Sequence, residues 1–274
     1  MSDSLAVRAE IVKLARLLGR DPGQLEYLHE VPAPDIHQLR EQITDVLFSA
    51  QNNTLRRLAA ASRLLPVGLV ATIGQRAFGP MLSARVAGML DPDRAVEMAA
   101  RLPIAFLADI AVEIDPRRAS DVIAKIPPDQ IAAVTRELSG REEYVTIGRF
   151  VGHVPSQSIS AALEVLDDGS LLRTAFVMEA KGNLEELIGL LPSTRIDGII
   201  DAAASQQLWP EALDLLSHLN HEQRADFANR VAARDPRLLE EIARTAEAYD
   251  ALASDPELRK VVEELLPGRR LSDG

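Results

Sequence analysis

A punctuated period of twelve residues constrains this chain more than any other feature. Four consecutive blocks can be written as DPDRAVEMAARL (91–102), PIAFLADIAVEI (103–114), DPRRASDVIAKI (115–126) and PPDQIAAVTREL (127–138), and GPMLSARVAGML (79–90) precedes them in phase. In each of the four the fifth, eighth and twelfth positions are apolar: Ala95, Met98, Leu102; Leu107, Ile110, Ile114; Ala119, Val122, Ile126; Ile131, Val134, Leu138. Offsets of three, four and seven put these side chains on one stripe of an α-helix. The seventh and eleventh positions carry charge at Glu97, Arg101, Asp109, Glu113, Asp121, Lys125 and Glu137, on the opposite face. Each block therefore reads as one short amphipathic helix. Asp-Pro is a start signal, because Asp accepts from an otherwise unpaired backbone N–H and Pro is preorganised for the first turn.

Blocks opening on Asp-Pro alternate with blocks opening on Pro, so the unit is a helix pair of about 24 residues. Helices this short gain stability by stacking on their neighbours. The pattern continues after Pro155, Pro192 and Asn220, with longer helices expected near 141–152, 169–180, 184–191 and 210–218. Ahead of it, helices are expected near 4–18, 22–30, 35–50 and 54–65, and Asp-Pro pairs at 235–236 and 255–256 open two closing helices before a frayed tail. Strand signals are nearly absent. The fold class is accordingly all-α: a right-handed superhelix, or α-solenoid, of short helix pairs with an added N-terminal helical group. The expected divisions are 1–65, 66–231 and 232–274.

Runs such as LDPDRAVEMAARLP and DPRRASDVIAKIPPDQIAAVTREL resemble the cytoplasmic N-terminal superhelical domain of the MgtE magnesium transporters, and more distantly the armadillo-like segments of the flagellar motor-switch protein FliG. The resemblance covers residues 65–231. It implies a superhelix of short helix pairs. The transporter's membrane domain is expected to have no counterpart here, and the stretch after 231 is shorter than the paired CBS modules of that family. The resemblance also implies acidic residues that share Mg²⁺ with another domain. The matching positions are Asp91, Asp93, Asp115 and Asp129, with Asp167 and Asp168 further on. Capping accounts for Asp91 and Asp115 without a metal, and a Mg²⁺-responsive regulator would reveal itself by a saturable rise in melting temperature with Mg²⁺.

Composition narrows the function. The absence of cysteine removes disulfides, thiol nucleophiles and Cys-ligated zinc, and suits the cytoplasm. A net charge of −11 opposes general nucleic-acid binding. The longest uncharged apolar stretch, LLPVGLVATIGQ (64–75), is shorter than the roughly 20 residues of a membrane span. His218 and His221 are three apart but divided by the helix-starting Asn220, and His153 with Ser156 and Ser158 lacks an oriented acid. Gly68, Gly74 and Gly79 are too widely spaced for a phosphate loop. No enzyme is expected, and no cofactor beyond the Mg²⁺ that the resemblance raises.

The charge is unevenly distributed. Residues 1–90 sum to +2 and the remainder to −13, and no acid occurs between Asp45 and Asp91. That interval holds Arg56, Arg57, Arg63, Arg76 and Arg85 among dense apolar residues. Such a segment suits an acidic partner, an amphipathic small molecule or an anionic lipid in peripheral membrane contact, or else it is core whose arginines pair with later acids. Arg56, Arg57, Arg63, Arg76, Phe78 and Phe106 are the candidate contact residues, since aromatic and arginine anchors dominate interfaces. The leading expectation is a non-enzymatic cytoplasmic scaffold that binds an unidentified protein along a concave helical face. A carrier or sensor of an amphipathic ligand is the alternative.

Overall fold

A computed structural model describes residues 5–49 and 52–248, apart from the side chains of 45–49, 52–54, 56, 58, 247 and 248. The described residues are all-helical. Helix α1 (Leu5–Leu18) leads through a 3₁₀ segment (Pro22–Leu28) to α2 (Ala33–Ser49) and α3 (Asn52–Ser62). Next come α4 (Val67–Ile73), a π-helical turn (Gly74–Phe78), α5 (Gly79–Ala87), α6 (Pro92–Ala99), α7 (Ile104–Glu113), α8 (Ser120–Ile123), α9 (Pro128–Gly140), α10 (Tyr144–Phe150) and α11 (Ser156–Val165). The chain continues through α12 (Asp168–Val177), α13 (Leu184–Gly189), α14 (Ser193–Ser205), α15 (Trp209–Ser217), α16 (His221–Arg234) and α17 (Pro236–Ala248). The helices expected after Asp255 and the tail lie outside the described residues.

The start signals act where the local pattern places them. Asp91 accepts from the Arg94 N–H at 3.3 Å and Pro92 is the first helical residue of α6. Asn220 and Gln223 form a reciprocal capping box on α16, and Asp167 caps α12 through the Ser170 N–H at 2.9 Å. Block 115–126 departs from the pattern, because its helix spans only Ser120–Ile123. Asp115 there accepts from the Arg117 N–H and from the side chains of Arg117 and Arg118, which holds 115–119 as a turn rather than a first helical turn.

By contact the chain forms two units, one of Met1–Glu41 with Asp167–Gly274 and one of Gln42–Leu166. The first of these borders lies inside α2. In the second unit most helices pack on the one two places further on: α3 on α5, α4 on α6, α5 on α7, α6 on α8, α7 on α9 and α9 on α11, while α10 packs on α9. None of the twelve apolar repeat positions named above is exposed. Alanines take up much of the interior, including Ala59, Ala71, Ala84, Ala95, Ala108, Ala111 and Ala119.

The first unit repeats that stacking in α12 on α14, α14 on α16 and α15 on α17. It adds α1, which packs against α12 and α15. Its interior is made of larger side chains: Leu14, Ile36, Leu172, Met178, Ile200, Leu213, Leu216, Val231 and Ile242 are all under 2% exposed. The single tryptophan, Trp209, is buried at the start of α15 and donates to Glu241 at 3.1 Å.

Candidate functional site

The carboxylates implied as Mg²⁺ ligands are engaged in structural roles or stand apart. Asp91 is the α6 cap. Asp93 accepts from Lys125 Nζ at 2.7 Å. Asp115 is 4% exposed and held by Arg117 and Arg118; burial pushes its pKa up, but the guanidinium and backbone N–H of Arg117, with the charge of Arg149, outweigh burial and keep it below the ordinary aspartate value. Asp129 is exposed in the first turn of α9. Asp167 is a cap and Asp168 pairs with Arg195 at 2.6 Å. Among the described residues no three His, Asp or Glu side chains gather as a metal site would require. His218 Nδ1 donates to the Asp214 carbonyl at 2.8 Å, while His221 opens the next helix.

The segment without acid sits at the start of the second unit's stack. Arg57, Arg63 and Arg76 are exposed, and none has an ion-pair partner among the described residues. The side chain of Arg56 lies outside the described residues. Around these guanidiniums large apolar side chains face solvent: Leu64 is 86% exposed, and Leu65, Leu69, Phe78 and Met81 are exposed as well. Phe106 belongs elsewhere, since it is buried in α7 and presents no surface.

Two local causes shape that surface. Arg94 reaches from α6 and donates through Nη2 to the carbonyls of Ser62 and Leu65, each at 2.6 Å, which clamps the backbone of the α3–α4 turn and leaves its leucines outside. The π turn then leaves Gln75, Arg76, Ala77 and Phe78 all exposed. Gly79 follows with φ of 71°, a left-handed conformation natural to glycine, and starts α5. π-helical turns are uncommon and recur at functional positions.

A second concentration of charge lies inside the first unit and was missed by motif reasoning. Arg40 of α2, 7% exposed, donates to Glu10 of α1 at 3.2 Å and to Glu179 at 2.7 Å. Lys13 binds Glu10 at 2.7 Å. Burial pushes the Glu10 pKa up, but Lys13, Arg40 and His37 together hold it below the usual glutamate value. Lys181 pairs with buried Asp214, and burial pushes its ammonium pKa below the usual lysine value. Phe176 has two cations over its ring, Lys181 and Arg8, each 5.5 Å from the ring centre. Arg8 also faces Glu211 at 3.6 Å. Nearly every cation of this seam has a carboxylate partner, and it joins α1 and α2 to α12 and α15. The sequence signal for it was the mixing of Glu10 and Lys13 into the apolar pattern of the first helix.

No protein-family model matches the chain, and no curated protein or solved structure does. No helix among the described residues is long and apolar enough to cross a membrane.

Proposed function

We propose that this protein is a non-enzymatic cytoplasmic interaction module, a superhelical scaffold of helix pairs with the roughly 24-residue step and MgtE-like architecture read from its sequence. The observation that carries this reading is the stacking of most helices on the one two places along the chain in the second unit, with α12 on α14, α14 on α16 and α15 on α17 in the first. Arrays of this kind present a ladder of helices whose exposed rungs recognise other proteins. Their joints are made by side chains that reach across the stack. Arg149 donates to the Ile114 carbonyl at 2.6 Å, Arg224 to the carbonyls of Leu216 and Ser217, and Gln130 to the Ala99 carbonyl at 3.0 Å. Such contacts satisfy helix C-terminal carbonyls and occupy the polar side chains that a catalytic constellation would need free.

Photo-crosslinking in native extract tests the reading. A photoreactive residue at exposed rungs such as Arg101, Lys125 or Arg136 is expected to yield a discrete, stoichiometric protein adduct. A stoichiometric amphipathic small molecule retained in native mass spectrometry, with no protein adduct, would overturn the scaffold in favour of a carrier. A saturable rise in melting temperature with Mg²⁺ that Ca²⁺ does not reproduce would overturn it in favour of a metal-responsive regulator.

A further inference from the structure

We propose that residues 57–81 dock the second unit onto an anionic phospholipid surface, with arginine guanidiniums on lipid phosphates and leucine, phenylalanine and methionine side chains in the acyl boundary. The proposal is independent of the scaffold reading. It rests on three observations that meet in one short stretch.

The first is charge. Arg57, Arg63 and Arg76 are exposed and lack carboxylate partners among the described residues, within an interval from 46 to 90 that contains no acid. Several exposed arginines elsewhere are held by acids, Arg101 by Glu97, Arg141 by Asp109 and Glu137, and Arg234 by Asp197 and Asp201, while others such as Arg20 and Arg136 stand singly and without the apolar side chains that surround this cluster. An unpaired guanidinium fork matches a phosphate in charge and geometry. The −13 carried by residues 91–274 is repelled by the same lipid surface, so attraction is confined to this stretch and orients the unit on it.

The second is the placement of the apolar groups. Leu69 and Thr72, three residues apart and both exposed, share a face of α4 away from buried Ala71, and Arg76 is exposed in the π turn that follows. Leu64 and Leu65 stand at the N-terminal end of that helix, and Phe78 and Met81 follow its C-terminal end. Seven helical residues span about 10 Å, so two apolar tips flank a short amphipathic rod. Leu64, 86% exposed, protrudes from a turn rather than lining a groove. A protruding leucine suits a deformable lipid boundary better than a rigid acidic helix, which requires a receiving groove.

The third is rigidity. Arg94 clamps the α3–α4 turn through the carbonyls of Ser62 and Leu65, and Ser83 donates to the Gly74 carbonyl at 3.3 Å at the head of the π turn. Both tips are thus held out by backbone contacts that leave their side chains free, and docking needs no new fold.

Co-flotation with phosphatidylcholine vesicles, with and without phosphatidylglycerol, tests the proposal on the full chain. Binding is expected to the anionic vesicles alone and to fall at high salt. Each basic residue near an anionic surface is worth about fivefold in affinity. Arg63→Glu with Arg76→Glu should therefore weaken binding by more than about 25-fold. Leu64→Asn with Met81→Asn should weaken it several-fold while keeping the salt dependence. All four positions are exposed, and unchanged thermal melting will confirm folding of each variant. Arg20→Glu with Arg136→Glu, the same change of charge at exposed positions elsewhere, should leave binding within about twofold. The proposal is overturned if anionic vesicles do not retain the protein, if the paired arginine variant binds as the parent does, or if the control pair weakens binding equally. It is also overturned if a glutamate-rich amphipathic helical peptide forms a one-to-one complex at these residues while vesicles do not bind.

Discussion

The two units stack their helices by the same rule and hold them by different means. The unit of Gln42–Leu166 is filled largely by alanines and short aliphatic contacts, and its ion pairs lie at the surface apart from those of buried Asp115. The unit of Met1–Glu41 with Asp167–Gly274 encloses the bulkiest buried side chains and a seam of buried charge around Glu10, Lys13, Arg40 and Asp214. The difference follows from chain closure. In the second unit neighbours in the stack are also near in sequence, so local periodicity is enough to direct packing. In the first, α1 must find α12 and α15 from more than a hundred residues away, and buried ion pairs penalise every wrong register.

The largest break in that comparison should come from the seam. Arg40→Ala leaves Glu10 and Glu179 without their common partner and is expected to cost the first unit about 3 kcal/mol. Denaturant unfolding followed by Trp209, the only tryptophan and a member of that unit, reports it directly. Hydrogen exchange in α5 to α9 should be unaltered. Acid loosens the same seam more gradually. The folded pKa of Glu10 is lowered from 4.5, so its contribution is complete above that pH and is lost as pH falls through the folded value. Asp115, in the other unit, is lowered from 3.8. On acidification the Trp209 signal should therefore begin to lose stability before exchange in 114–123 does. Glu10→Gln should start less stable and lack that early decline.

Glycine substitution sharpens the contrast at intermediate size. At Gly198 of α14 an added Cβ would fall 1.9 Å from Asp168 Oδ2, the carboxylate that holds Arg195. Gly198→Ala should thus destabilise the first unit by about 2 kcal/mol, with Asp168→Ala restoring part of the loss. At Gly140 of α9 nothing lies within 4 Å, and Gly140→Ala should stabilise the second unit by about 0.5 kcal/mol through the unfolded chain. Chemical denaturation of the first and hydrogen exchange of the second measure the opposite signs.

Local features of this fold were legible in the sequence to the extent that they depend on near neighbours. Asp91 and Asn220 cap the helices expected of them, and none of the repeat's apolar positions faces solvent. Asp115 behaved otherwise because two arginines just after it, Arg117 and Arg118, compete for the carboxylate that would have capped a helix. The docking candidates divided for a similar reason. Arg63 and Arg76 stayed outside in a stretch of sequence that offers them no acid, and Phe78 is exposed as the last residue of the π turn. Phe106 went inside because its block is rotated toward Ala108 and Ala111. The buried seam was beyond local reading: Lys181 and Asp214 are 33 residues apart, and Arg40 and Glu179 are 139 apart. The first spacing is that of the stack rungs, as in Arg234 with Asp201, but no periodicity connects positions as far apart as Arg40 and Glu179.

The smallest expected effect is the most diagnostic for the comparison. Arg141 bridges α7 and α9 through Asp109 at 2.6 Å, Glu137 at 2.7 Å and the Ala105 carbonyl at 3.3 Å. Arg234 does the same work in the other unit, taking Asp201 at 2.6 Å and Asp197 at 2.8 Å. Each is a rung between stacked helices, and each is open enough to water that Coulomb attraction is largely screened. Arg141→Ala should cost about 0.5 kcal/mol or less, shrinking further at high salt. Arg234→Ala should show the same small loss. Equal values for the two rungs would mean that the stacking rule is energetically the same in both units, and that the buried seam and larger side chains alone set them apart. A loss of about 2 kcal/mol or more for Arg141 would reverse that conclusion. The alanine-filled unit would then depend on its surface rungs, and its stability, unlike that of its partner, should fall steeply with salt.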